Sequence, residues 1–99
     1  MYDLNDNPIS TGQIAVSGFG FGAFSVKADC RSGYILRAEA ESLTITARRL
    51  GDEAWTNLIT GSIDLSAFDG ARETFEVRVS GSVVSARTLR EARLIVEPV

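Results

Sequence analysis

Four stretches of this chain alternate apolar and polar residues one by one, and three of them are closed by a turn signal. Ala23 to Asp29 puts Phe24, Val26 and Ala28 on one side and Ser25, Lys27 and Asp29 on the other. Gly33 to Glu41 sets Tyr34, Leu36, Ala38 and Ala40 against Ile35, Arg37, Glu39 and Glu41. In Ser42 to Leu50 the inner row is Leu43, Ile45 and Ala47, and the outer row is Thr44, Thr46 and Arg48. Glu73 to Ser80 repeats the pattern with Phe75, Val77 and Val79 inside and Glu76, Arg78 and Ser80 outside. A period of two belongs to an extended strand with one face in a core and one in water. Helix propensity alone would allow a helix from Leu36 to Glu41, but the strand pattern is the stronger signal there.

The punctuation agrees. Arg31-Ser32-Gly33, Gly51-Asp52-Glu53, Asp69-Gly70 and Gly81-Ser82 are rich in the residues that reverse a chain. Further strand candidates are Gln13 to Ser17, Ala54 to Ile59 with Trp55 near its start, Ser62 to Leu65, Val83 to Leu89 and Glu91 to Glu97. In the last of these Ala92, Leu94 and Val96 are expected to face inward. Asp64 is placed to cap a helical turn over Ser66 to Phe68. Strands at intervals of roughly eight to twelve residues predict an all-β fold of about eight short strands, a sandwich or a barrel. With 99 residues the chain supports one domain, expected over residues 13–99.

Residues 1–12 are expected to form an extended N-terminal arm, because Asp3, Asn5, Asp6, Asn7, Pro8, Ser10 and Gly12 are turn formers or strand breakers. Tyr2, Leu4 and Ile9 are the apolar residues on this polar arm. They belong either to a frayed terminus or to an arm that docks on a neighbouring subunit. In GFGFG, Gly18 to Gly22, an extended backbone puts Phe19 and Phe21 on one face and the glycines on the other. The two rings either fill the end of the core or form an exposed patch used in assembly. Tyr2, Leu4, Ile9, Phe19 and Phe21 are therefore the candidate interface residues.

Charge and composition exclude several functions. The formal net charge is -3, which disfavours nucleic acid as a partner. No apolar run is long enough to span a membrane. The N-terminus lacks the basic and apolar regions of a signal peptide, so the mature chain is expected to begin at Met1 and to be made without export. Nine of the ten basic residues are arginine, a common interface residue, but a GC-rich genome is the preferred explanation of the bias. Histidine is absent, which removes His-dependent triads and His-ligated metals. Cys30 is the only cysteine; it reads as a small residue at a strand end in preference to a thiol activated by Arg31. Glu39/Glu41 and Asp52/Glu53 read as solvated faces and turns, and GFGFG lacks the spacing of a dinucleotide loop. No catalytic residue, cofactor or metal site is expected, and the chain is not expected to be an enzyme.

Arg49 at a strand end, then Gly51, then Trp55, then IDLSAFDG from Ile63 to Gly70, resembles the later part of galactose-binding-type jelly rolls, a class of carbohydrate-binding-like β-sandwich. The strands Phe75 to Val79 and Leu94 to Val96 complete that likeness, which covers about half of the chain. The resemblance implies an antiparallel β-sandwich of jelly-roll type and a fold-packing role for Trp55, which is expected to be buried; the alternative is an exposed platform for a sugar ring. By architecture, a small free-standing sandwich with a polar arm is similar to the accessory structural proteins of tailed bacteriophages. That likeness implies a non-enzymatic virion structural protein, most of all a capsid decoration (cement) protein assembled in the host cytoplasm. Its implied partners are a major capsid protein or tail proteins and copies of itself, as in a trimer. The alternative is a glycan-binding or adhesion module of a tail fibre or cell surface, with Trp55 or Tyr34 exposed beside polar groups.

Overall fold

The computed structural model describes residues 1–8, 22–40, 43–81 and 93–99. The strands expected at Gln13 to Ser17 and Val83 to Leu89, and the Phe19/Phe21 ribbon, lie outside these residues.

Among the described residues the fold is all-β, with seven strands, every pairing antiparallel, and a single 3-10 turn. The strands are β1 (Gly22–Asp29), β2 (Tyr34–Glu39), β3 (Leu43–Arg49), β4 (Thr56–Asn57), β5 (Ile63–Asp64), β6 (Arg72–Gly81) and β7 (Arg93–Pro98). They form two sheets, one in the order β1-β6-β3-β4 and the other in the order β5-β2-β7. Among the described residues the sheets do not close into a barrel. β6 is the longest strand and lies at the centre of the larger sheet. Its register runs from Gly22↔Val79 to Asp29↔Arg72 on one side and from Leu43↔Gly81 to Arg49↔Phe75 on the other.

The alternating rows fall as the sequence predicts. Val26 and Ala28 of β1, Leu43, Ile45 and Ala47 of β3, and Phe75, Val77 and Val79 of β6 are buried. Leu36 and Ala38 of β2 and Leu94 of β7 are buried in the same cluster. Both sheets thus contribute one face to a common core, and their charged rows face outward. Val96 packs against this core from the end of β7. The turn after β1 uses Gly33 with φ +82, a left-handed conformation that glycine adopts without steric cost.

Two segments differ from the alternation. Ala54 to Ile59 is not one strand; only Thr56–Asn57 pairs with β3. The Asn57 side-chain oxygen accepts hydrogen bonds from the Ile59 and Thr60 amides, at 2.9 and 3.3 Å. That local turn diverts the chain from the ladder. Leu58, at its start, connects the two sheets: its amide donates to the Ile45 carbonyl of β3 (2.8 Å), and its carbonyl accepts from the Ala38 amide of β2 (3.0 Å). The second segment is the expected turn at Ser66–Phe68, which forms as a 3-10 turn capped by Leu65. Asp64 sits one residue earlier, where its carboxylate accepts the Ser66 amide at 2.9 Å.

Leu58 is 1% exposed and Leu50 is 56% exposed. Leu58→Ala should therefore lower the unfolding free energy by about 2–5 kcal/mol, and Leu50→Ala by less than about 0.5 kcal/mol. Urea denaturation followed by circular dichroism checks this; equal losses for the two would contradict the assigned core.

Candidate functional site

The first described residues fold back, where an extended arm was expected. The Asp3 carboxylate accepts the amides of Asn5 (2.8 Å) and Asn7 (3.0 Å), and Asp6 takes a positive φ of 64°. The chain reverses so that Tyr2 bridges Pro8. The Tyr2 amide and carbonyl each bond Lys27 of β1 at 2.8 Å. Side chains add to this clip. Asp6 pairs with Lys27 (3.3 Å) and Arg72 (3.5 Å), while Arg72 grips both oxygens of Asp29 at 2.7 and 3.3 Å. The Arg72 guanidinium lies 3.5 Å from the centre of the Tyr2 ring. Tyr2 is half-buried against its own chain, whereas Leu4, at the tip, is 55% exposed. Ile9, Phe19 and Phe21 lie outside the described residues.

Trp55 is not buried in the core, contrary to the expectation drawn from its place in the motif. The reason is register. Ala47 of β3 faces the core and pairs with Thr56, so Trp55, one residue earlier, falls on the opposite face with Arg48. The ring lies half-buried on the outer surface of the larger sheet. Its centre is 4.5 Å from the Arg48 guanidinium carbon and 4.2 Å from that of Arg78. Arg78 is exposed. Arg48 also pairs with Glu76 at 3.4 Å. The arrangement is a cation–π cluster on a solvent-facing sheet. The sequence held half of this signal, since Arg48 and Arg78 were both assigned to outer rows. Only the pairing of β4 with β3 brings Trp55 onto them.

Of the other residues weighed for chemistry, Cys30, Asp52, Glu39 and Tyr34 are engaged structurally, Glu53 is exposed, and Glu41 lies outside the described residues. Cys30 is buried, its thiol is pushed up by burial, and its Sγ lies 3.6 Å from the Ala28 carbonyl. This fits the reading as a small residue at a strand end. Asp52 pairs with Arg49 at 3.0 Å, and Arg49 also lies over Phe68. Glu39 shares Arg37 with Glu97. Tyr34, the second candidate platform, is half-buried at the start of β2, 5.8 Å from the Arg31 guanidinium carbon. It packs against the core, so the two aromatic candidates belong to different sheets. Among the described residues no three carboxylate, cysteine or histidine groups lie together in a way that would hold a metal ion.

No protein-family model, no curated protein and no solved structure matches this chain.

Two predictions follow from this geometry. Trp55 is the only tryptophan, so its fluorescence reports the cluster directly. Iodide should quench it more strongly than caesium, because the two guanidinium groups attract an anion and repel a cation; Arg78→Ala should narrow the difference. Quenching by neither ion would place the ring in the interior. The second concerns acid. Arg37 holds the Glu97 carboxyl below its ordinary range, and Arg72 does the same for Asp29. A carboxyl whose folded pKa is depressed adds stability that is present above its unfolded value, near 4, and is lost as the pH falls through the folded value. The urea midpoint should fall between about pH 5 and pH 2, and fall less steeply in Glu97→Gln and Asp29→Asn.

Proposed function

We propose that this chain is a non-enzymatic structural protein that works by binding other protein subunits in an assembly, in particular as a decoration protein on a virus shell. What supports the binding reading is the Arg48–Trp55–Arg78 cluster on the outer face of the larger sheet. Tryptophan and arginine carry a disproportionate share of the energy in protein interfaces. A ring held between strands by cationic neighbours is pre-ordered, so little side-chain entropy is lost when a partner covers it. The finer step, to a jelly-roll β-sandwich that decorates a capsid, rests on the likeness in architecture. A core of this size gains stability when symmetric copies bury further surface, which favours a homo-oligomer such as a trimer.

The half-exposed Trp55 also favours a second reading, a glycan-binding module. The two guanidinium groups already occupy part of the π-surface that a sugar ring needs, and this makes it the weaker reading. Sedimentation velocity over a wide concentration range separates the two. The assembly reading expects concentration-dependent self-association that Trp55→Ala and Arg78→Glu abolish while the far-ultraviolet circular dichroism stays the same. A monomer at every concentration, together with glycan-array binding that Trp55→Ala removes, would establish the glycan reading instead.

A further inference from the structure

A groove opens beside the N-terminal clip, and none of the residues of the tryptophan cluster line it. Ala28 of β1, Tyr34 of β2, Val96 of β7, and Met1 and Tyr2 of the N-terminal clip line it. Its volume is about 220 Å³. Pockets that hold whole small ligands usually span roughly 300–1,000 Å³, so this one has room for a single bulky side chain. Methionine at the wall adapts to the shape of what enters.

The rim sets the charge of the occupant. Asp29 and Arg31 stand there, but they are not equivalent. Asp29 is already neutralised by the two-pronged grip of Arg72. Arg31 is exposed and makes no ion pair within 4 Å among the described residues, although its charge helps to lower the Asp29 pKa. The charged group of the groove with no direct ion-pair partner is therefore the Arg31 guanidinium, whose planar fork matches a carboxylate. We propose that the groove receives a bulky apolar side chain of a partner protein and that an adjacent acidic residue of the same segment pairs with Arg31. The proposal rests on the reading of this chain as a protein-binding module, and it names a second contact with its own specificity.

Amide-resolved NMR titration of the whole chain tests it, with N-acetyl-Phe-Asp-amide as the probe and N-acetyl-Phe-Asn-amide as the uncharged control. The aspartyl peptide should shift the signals of Tyr2, Ala28 to Tyr34 and Val96. It should bind about three- to fivefold more tightly than the control at low salt, as suits an exposed ion pair. Arg31→Ala, at an exposed turn position, should fold normally and bind the two peptides equally. The absence of shifts at these residues, or a preference for aspartate that survives Arg31→Ala, would overturn the proposal. Shifts produced there by methyl β-galactoside but not by either peptide would overturn it too, in favour of a sugar site. Failure of the outer-face assembly reading appears in sedimentation and leaves this titration unaffected, so the two can fail separately.

Discussion

Among the described residues, the backbone of one residue, Leu58, ties the two sheets to each other. Leu58 donates its amide to β3 in the larger sheet and accepts at its carbonyl from β2 in the smaller one, while its side chain is buried between them. Side-chain packing between sheets is non-directional and tolerates sliding. A pair of backbone hydrogen bonds does not, because a buried amide or carbonyl that loses its partner is costly to leave unpaired. The Asn57 turn delivers Leu58 to this position by closing β4 after two residues. A longer β4 would continue the larger sheet and leave no crossing between the sheets at this point.

The same economy appears at the edge of β1. Lys27 would present an unpaired amide and carbonyl at the sheet edge, a feature that invites pairing with another chain. The N-terminal clip covers it, using Tyr2 for the backbone pairing and Asp6 and Arg72 for the charges. Arg72 is the shared member. It holds Asp29, reaches Asp6 and stacks on Tyr2, so three separate segments meet on one guanidinium. The clip then serves a second purpose as a wall of the groove. Edge protection and the candidate docking site are built from the same residues.

Arginine recurs wherever the surface carries a defined arrangement. Arg48 and Arg78 frame Trp55, Arg49 covers Phe68, Arg31 stands beside Tyr34, and Arg72 covers Tyr2. A planar, weakly hydrated cation stacks on a ring and still offers donors at its edge, which a lysine ammonium does less well. The arginine bias visible in composition thus has a structural use in this protein, whatever its genomic origin.

Alternation of apolar and polar residues determined the strands, their inward rows and the all-β class. The period is local and is enforced by the core along β1, β2, β3 and β6. Turn residues determined where most strands stop, as at Gly33 and at the Ser66–Phe68 turn. Tertiary structure decided the rest, because pairing between strands is not written in any one of them. Trp55 sits in a motif that suggests burial, yet the register of β4 on β3 turned it outward onto two arginines whose own positions were legible. Tyr2 looked like a residue of a free arm until its backbone met Lys27, twenty-five residues later in the chain. The groove joins residues from the clip, β1, β2 and β7, and no spacing in the sequence announces it. Local periodicity is read one strand at a time; sites made of several strands exist only once their register is set.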